Sequence, residues 1–532
     1  MTIELPRTAF FLARPGGENK GVDFLGLRQT NLAMMAEAIP STNNVTNHIA
    51  PFTLLCWIFW KFHALCVQRG IHEPDSRLMT SFRERVEILF TWGARLADWP
   101  GIPGKLAEPP QGSPGVPLTF KAWKRITTST SLAAALWYGP ASKTVTGLGF
   151  LMPVPGKGGF LRTVGRGIDL AKGLDVRLQG DWPRYDHLLA TLDEVTAHED
   201  DARALWSLWG PDVVGPAERD AFQSALFSEE AVGDYKTLIG KRSSTLALAR
   251  LYLANGPAPR SPDDIRRGMF LCRCDEGPAY ALPATLGPAH RTWVVLQVRQ
   301  VQRLALESLL SWCERHVLGG LSQTDELADR FVAELRSSGL PLAEISDIKD
   351  ALAPLAAQAA NLEAYLDGCR QGSIPTPFAL TEAILEQSDS SAGLAAACLH
   401  ALSVCASFAG CLSADTPEIR LGGAARLSLY HLSQRFFALA DAPIVEAARY
   451  LLEALVISQH FATAVNRFDG QNQRLRLAIE ETGLSHLIGE AWHPTVTADR
   501  LATILSLAAE CGLVAQVPEG YLLNSSGFKA GK

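Results

Sequence analysis

No strong catalytic signature occurs in the 532 residues of this chain. It contains no Gly-x-Ser-x-Gly elbow, no His-Glu-x-x-His helix, and no carboxylate pair followed by the Glu-x-Lys of many nucleases. The glycines within 156–159 lack the Lys-Ser/Thr ending that a P-loop requires. These absences favour a protein that is not an enzyme, and they predict no catalytic residue.

Cysteines and charged residues are sparse in the sequence, and its N-terminus does not have the pattern of a secretory leader. The ten cysteines are scattered in mostly apolar surroundings, without the dense spacing of a small secreted scaffold, which indicates a reducing compartment. Glu4 precedes a short apolar run with no cleavage site, so a signal peptide is not expected. Charged residues are 20% of the chain and sum to −6, so the whole molecule is not drawn to phosphate polymers. We expect a cytoplasmic globular protein of several domains.

One apolar run, Ile49–Val67, is about as long as a bilayer is thick. Lys61 and His63 lie inside it, and an ionised side chain near the middle of a membrane helix costs about 2.5 kcal/mol or more. No second comparable run is expected. We therefore predict a buried core helix, no membrane contact, and capping of the helix start by asparagine side chains of 43–48.

Helical periodicity dominates the chain, and β structure is predicted only in short hairpins. The predicted fold class is mainly α, a multi-domain helical protein with two winged-helix-like modules. The predicted segments are an N-terminal helical domain (1–99), a Pro/Gly-rich linker (100–116), a basic winged-helix-like module (117–177), a helical body (178–470) and a C-terminal winged-helix-like module (471–532).

Each module is predicted from helices followed by a hairpin. In the first, strands at 150–154 and 160–163 flank a glycine-rich turn. In the second, Thr497 is the expected N-cap of a helix that runs to Cys511, and a hairpin then turns at 518–520.

The first module is strongly basic. Between Pro117 and Arg177, nine basic residues face two acidic ones, a net of +7, so the rest of the chain carries −13. A cationic module in an acidic chain suits contact with nucleic acid, because each Lys or Arg near DNA releases condensed counterions. A docking surface for an acidic protein and solvated lysines that balance the acidic body are the alternatives. The predicted phosphate contacts are Lys121, Lys124, Arg125, Lys143, Lys157, Arg162 and Arg166, with Lys157 at the wing tip. The C-terminal module, at −1, favours a protein partner.

Two groups contain residue types that bind metals, although neither a metal nor another cofactor is predicted. Cys272 and Cys274, with Cys313 and His316, supply four donors of the kind that zinc takes, but thiols on separate helices are the favoured interpretation. The sequence does not decide whether these four converge. Residues 198–201 place a histidine beside carboxylates, yet consecutive helical residues point in different directions, so an acidic helix start is favoured.

Three stretches, 21–57, 142–175 and 466–489, carry a Gly-x-Asp-x-Leu-Gly start, an Asn-Val-Thr segment before an aromatic helix, and a late Arg-Phe-Asp-Gly element. In these features the chain resembles uncharacterised bacterial proteins often encoded near anti-phage defence genes. The resemblance implies a cytoplasmic component of a defence or mobile-element system that works with other protein subunits. It implies no catalytic residue.

Three functions are consistent with these patterns. We expect a DNA-binding, non-catalytic subunit of a bacterial defence or mobile-element complex that contacts mainly the phosphate backbone of duplex DNA. The alternative is a kleisin-like or adaptor subunit that binds a partner ATPase. The third is a metal-dependent nuclease with a degenerate site, which requires the metal-type residues to converge.

Overall fold

The computed structural model describes residues 23–111, 115–157, 159–256, 258–275, 277–339, 344–356, 360–468 and 474–524. Within them the chain is mainly α-helical and strands form only short antiparallel pairs, so the predicted mainly α class is confirmed. The described residues form two compact units. Unit 1 contains those of 1–34 and 295–497, and unit 2 contains those of 35–294 and 498–532. Each unit combines stretches that are far apart in sequence.

Most of the described residues lie in helices. In chain order they are α1 (Leu27–Ala38), α2 (Ile49–Gln68), α3 (Ser76–Leu96), α4 (Thr127–Thr130), α5 (Tyr138–Ser142), α6 (Arg166–Gln179), α7 (Trp182–Leu189), α8 (Glu199–Trp209), α9 (Pro216–Leu226), α10 (Leu238–Ala254), α11 (Pro262–Leu271), α12 (Gly287–Leu318), α13 (Thr324–Ser337), α14 (Ile348–Ala356), α15 (Leu362–Gln371), α16 (Pro377–Glu386), α17 (Ser391–Gly410), α18 (Pro417–Arg420), α19 (Leu429–Ala438), α20 (Ile444–Tyr450), α21 (Ser458–Asn466) and α22 (Leu501–Glu510). Short 3-10 turns lie at Pro211–Val213, Glu229–Ala231 and Ala284–Leu286, and a π-helical segment, Leu451–Ile457, joins α20 to α21.

The strands pair two by two. The pairs are β1 (Val116–Pro117) with β4 (Thr196–Ala197), β2 (Leu151–Pro153) with β3 (Leu161–Thr163), β5 (Leu477–Glu480) with β6 (Gly483–His486), and β7 (Val514–Val517) with β8 (Gly520–Leu523). The hairpins predicted at 150–163 and around 518–520 are therefore confirmed as β2–β3 and β7–β8. The predicted N-cap at Thr497 is wrong, because α22 begins at Leu501 after Arg500. The winged-helix interpretation stays a prediction; the helices α4 and α5 before the first hairpin have only 4 and 5 residues.

Helix α2 is the predicted core helix, and the polar groups along it find partners inside unit 2. The Lys61 ammonium lies 3.4 Å from a carboxylate oxygen of Asp175, which also accepts a 3.0 Å hydrogen bond from the Trp57 indole. Nε2 of His63 lies 3.2 Å from the carbonyl oxygen of Leu161. Because an unpaired buried charge is costly, these contacts account for Lys61 and His63 within an apolar helix.

The start of α2 is capped differently from the prediction. No side chain caps it at the N-cap position, His48. Instead, the Ile49 amide donates to Oε2 of Glu510 at 2.7 Å, and Nδ1 of His48 lies 2.7 Å from Oε1 of the same carboxylate. The side chain of Asn43 accepts from the Val45 amide in a local turn. A carboxylate at a helix N-terminus satisfies free amides and opposes the positive end of the helix dipole, and here it comes from α22.

Helix α17 corrects the expectation that no second long apolar segment exists. Among the described residues, α2 and α17 are the two helices that are long and apolar enough to cross a membrane. Most of the residues of both are buried in the structure, and the core helices of folded bodies pass the same test of length and apolarity.

Aromatic packing in unit 2 fixes the chain around the predicted basic module. The Phe52 ring of α2 lies 4.9 Å from Tyr138 at the start of α5 and 5.2 Å from Phe222 of α9. Phe150, immediately before β2, lies 5.7 Å from Phe222. These rings hold α5 and the start of the β2–β3 hairpin against the core, so the hairpin extends from a rigid base.

Candidate functional site

The β2–β3 hairpin has one face toward the core and one toward solvent. Leu151 and Thr163 pair across it and are buried, and the Thr163 hydroxyl donates to the Cys56 carbonyl at 2.8 Å. Met152 and Arg162 pair next to them and are exposed. This alternation is the period-2 geometry of a strand, and it directs the predicted contact Arg162 outward.

The hairpin tip is a glycine-rich turn that exposes Lys157. Gly156 and Gly159 adopt φ of +73° and +82°, which side chains with a Cβ rarely tolerate. Lys157 is exposed in this turn. The turn therefore keeps its cation away from the body of the unit.

A surface groove of about 300 Å³ connects this tip to α5. Lys143, the residue after α5, lies beside β2, where the Thr144 amide donates to the Leu151 carbonyl at 2.9 Å. Lys143 and Lys157 both line the groove. Two cations that are 14 positions apart in sequence thus line the same depression, which raises the local positive potential there.

Lys121 and Lys124 lie on a separate turn that follows β1, and both are exposed. The turn is anchored at Phe120, whose amide donates to Oε2 of Glu84 at 2.9 Å. Lys124 has φ of +50°, a left-handed conformation that is uncommon outside glycine and asparagine. The anchored turn presents both ammonium groups to solvent.

Arg125 does not face solvent, and here the structure corrects the prediction. Its guanidinium is buried 3.8 Å from Oε2 of the fully buried Glu87, and it donates to Oγ1 of Thr91 at 2.9 Å. It also stacks 4.2 Å over the Phe120 ring. Burial lowers the pKa of Arg125, and nearby Glu87 opposes that shift. We therefore remove Arg125 from the candidate interface and assign it to the core.

Arg166, the last predicted contact, is exposed at the start of α6 and lies 3.5 Å from the exposed Asp169. Such solvent-exposed pairs are worth about 0–1 kcal/mol, so Arg166 stays available to another anion. Arg177 at the other end of α6 turns inward to Glu218 at 2.8 Å. Burial lowers the pKa of Arg177, with Glu218 acting in the opposite direction. Arg125 and Arg177 therefore supply part of the module's net charge of +7 but pair with carboxylates inside the unit.

We use the name basic face for the remaining cations of the module, which lie on the β2–β3 hairpin, after α5, on α6 and on the turn after β1. Its members have no ion pair with a carboxylate anywhere in the part of the chain that the structure describes, except for the weak pair of Arg166. They are Lys121, Lys124, Lys143, Lys157, Arg162, Arg166 and Lys172. Lys172 is exposed on α6 and was absent from the predicted contacts, although it was counted in the charge of the module. The nearby aromatics Phe120 and Trp123 are buried and belong to the core.

The zinc-type residues have other partners. Sγ of Cys272 lies 3.4 Å from Nε2 of His290, and Cys274 donates to the Tyr252 carbonyl. In unit 1, Cys313 is fully buried, and desolvation raises the pKa of its thiol. Among the described residues, no group of three or more His, Cys, Asp and Glu side chains could hold a metal ion. This gives the nuclease hypothesis no metal site in that part of the chain.

The His198 cluster is a helix start, as the sequence favoured. The His198 amide donates to Oδ2 of Asp201 at 2.8 Å, which closes a capping box at α8. Glu199 pairs with Arg203 one turn later at 2.8 Å. The carboxylates of Asp201 and Glu199 therefore have partners within the first turns of the same helix.

His316 takes part in a polar cluster whose residue types are those of a hydrolase triad. Its Nε2 lies 2.8 Å from Oγ of Ser391 and also 3.3 Å from Oε1 of Glu334. A triad uses opposite ring nitrogens for the hydroxyl and the carboxylate. Glu334 also accepts from the Trp312 indole at 2.9 Å. This cluster therefore joins α12, α13 and α17 and does not activate the serine hydroxyl.

The basic face is thus the candidate site, and within it the structure brings Lys143 and Lys157 to one groove. Comparison of the chain with protein-family models, with curated proteins and with solved structures found no match to any of them.

Proposed function

We propose that this protein binds duplex DNA through backbone phosphates, as a non-catalytic subunit that works with other proteins in the bacterial cytoplasm. The observation that carries the proposal is the basic face itself. All of its members except the half-buried Lys143 are exposed, and among the described residues none has a strong carboxylate partner, within a chain whose net charge is −6. Phosphate contacts of this kind give affinity and position but little sequence selectivity.

Three parts of the basic face support a phosphate-tracking role. The hairpin tip carries Lys157, the groove adds Lys143, and the outward side of β3 carries Arg162. In the winged-helix interpretation, β2–β3 is the wing that follows the DNA backbone. The absence of a catalytic motif in the sequence, together with the resemblance to defence-associated proteins, supports a role as one subunit of a larger assembly.

The test is DNA binding by the full-length protein as a function of salt. Six of the predicted contacts remain on the basic face, so log affinity should fall with log salt with a slope of about −5 between about 50 and 200 mM. The double variant K157E/R162E should weaken binding to duplexes of unrelated sequence alike and bring the slope to about −3.

A matched control comes from the same unit. Lys236 and Arg219 are also exposed, lie outside the basic face, and supply the same pair of residue types. The variant K236E/R219E should keep the wild-type affinity and slope to within about twofold. A flat salt response, or equal losses in the two double variants, would remove DNA binding as the function.

A second candidate function is docking of an acidic protein partner, such as an ATPase subunit. The observation in its favour is Met152, which is 39% exposed and pairs with Arg162 on the outward side of the hairpin. An apolar side chain among cations suits a protein surface better than a phosphate chain. The variant M152S should weaken protein docking but leave duplex binding within about twofold, so this variant separates the two candidates.

A further inference from the structure

A second cationic site lies in unit 1, on the face of α19 next to the end of α20. A shallow, solvent-open cleft of about 410 Å³ is lined by His431, Gln434, Arg435, Ala438, Leu439 and Tyr450. The members from α19 recur at helical spacing and form one stripe, and Tyr450 is the last residue of α20 before the π-helical segment. Its volume is within the range of small-molecule sites, about 300–1,000 Å³.

Arg435 lines the cleft, Arg420 lies close to it, and each guanidinium stacks on an aromatic ring. The Arg435 guanidinium lies 5.6 Å from the Tyr450 ring centroid, and the Arg420 guanidinium lies 4.1 Å from the Tyr430 ring centroid. Neither arginine forms an ion pair with a carboxylate within the residues that the structure describes. Stacking orients the Arg435 guanidinium and leaves its N–H groups available, an arrangement that suits a phosphate. Nε of Arg420 already donates to the Ala414 carbonyl.

His431 supplies a third polar group. Its amide donates to Oγ of Ser428, the N-cap of α19, and Nδ1 lies 2.8 Å from the same oxygen. In the tautomer with the ring proton on Nε2, Nδ1 accepts a hydrogen bond from the Ser428 hydroxyl and Nε2 can donate one to a ligand. Burial lowers the pKa of His431, and the nearby charges of Arg420 and Arg435 lower it further.

We propose that this cleft binds a nucleotide, with its phosphate on Arg435 and Nε2 of His431 and its base against Tyr450 and Leu439. Inorganic phosphate would use the cations but not the aromatic and apolar walls, and an apolar ligand would leave the cations desolvated. A free nucleotide and the terminal nucleotide of a strand share this chemistry. Arg420 lies next to His431 and adds positive potential to the site.

Counting charges along the sequence does not reveal this cleft. Between Ala414 and Tyr450 the chain has four arginines and four carboxylates, so the stretch is neutral. In the folded structure these charged side chains point in different directions. Arg449 points away to Asp325 at 2.7 Å, and Asp441 lies 3.5 Å from Lys349, whereas Arg435 faces the cleft.

The experiment is calorimetric titration of the full-length protein with AMP, ADP, ATP and inorganic phosphate, and with single strands that carry or lack a 5′-phosphate. The variants are R435Q and H431Q, and the control is R449Q, which removes the same charge next to Tyr450 but outside the cleft. Charge-assisted hydrogen bonds predict that R435Q weakens nucleotide binding by about ten- to a hundredfold, while R449Q stays within about twofold of wild type.

Each outcome bears on the proposal. Tighter binding of a nucleotide than of inorganic phosphate, lost in R435Q and kept in R449Q, supports it; preference for the free nucleotide or for the phosphorylated strand identifies the source. No binding by any of the probes, binding of inorganic phosphate as tight as that of nucleotides, or equal losses in R435Q and R449Q overturns it. The K157E/R162E variant should bind the nucleotide normally, so failure of the DNA-binding proposal and failure of this one are distinguishable.

Discussion

The substitution R125A removes a buried cation that lies beside the Glu87 carboxylate. The arginine side chain is 1% exposed and the glutamate is fully buried. Removing one partner of a buried pair leaves the other charge without compensation, which costs about 3–5 kcal/mol. If Arg125 instead contacted DNA, the same change would cost affinity and leave stability nearly unaltered.

The geometry favours the lower end of that range. Glu87 keeps the Arg83 guanidinium at 3.6 Å, the Ser131 hydroxyl at 2.9 Å and the Leu132 amide at 2.9 Å, so its charge is still partly compensated. We expect R125A to lose about 3 kcal/mol of unfolding free energy. By the scaling for domains of 150–250 residues, this corresponds to a decrease in the melting temperature of roughly 6–12 °C.

The assay is thermal unfolding followed by tryptophan fluorescence, beside duplex binding measured well below the melting temperature. K121A is the matched control, because Lys121 is exposed on the same turn and should change stability by less than about 0.5 kcal/mol. Adding Glu87→Gln to R125A should recover part of the loss, since it removes the uncompensated charge. An R125A protein that melts like wild type but binds DNA weakly would refute the buried assignment.

Two further predictions concern the interiors of the units. In Gly268→Ala, the new Cβ would lie 1.9 Å from Cε2 of Tyr252; we expect a loss of about 1–3 kcal/mol in urea unfolding, and an unchanged midpoint would contradict this packing. Burial raises the pKa of Glu334, but hydrogen bonds from His316, Ser391 and Trp312 outweigh it and lower that pKa to about 2. The unfolded state then binds the proton more tightly, so the free energy of unfolding should decrease as pH falls from about 4.5 to about 2. Urea titrations across that window should show a smaller dependence of this free energy on pH in Glu334→Gln.

The elements that sequence reasoning located depend on neighbours along the chain. The core helix α2, the β2–β3 hairpin and the turn that carries Lys157 follow from apolar runs, period-2 alternation and glycines. The exposure of Lys121 and Arg162 follows in the same way from a turn and from strand alternation. For these residues, interactions between near neighbours in the sequence are sufficient to determine the local structure.

The cap of α2 shows where that reasoning ends. Asparagines directly before the helix were reasonable caps, but the carboxylate that accepts the Ile49 amide is Glu510, which lies 461 positions away. Local capping preference is weak, about 1 kcal/mol, so a well-placed carboxylate from another helix can replace it.

The sequence alone thus determined the helical class, the hairpins and the surplus of positive charge between Pro117 and Arg177. The tertiary structure decided which charges reach water: Arg125 was turned to Glu87, and Arg435 was exposed in a stretch that is neutral by composition. The reason is that helix and turn formation are governed by residues a few positions apart, whereas the direction of a charged side chain is set by the free energy of desolvation in packing that joins distant segments.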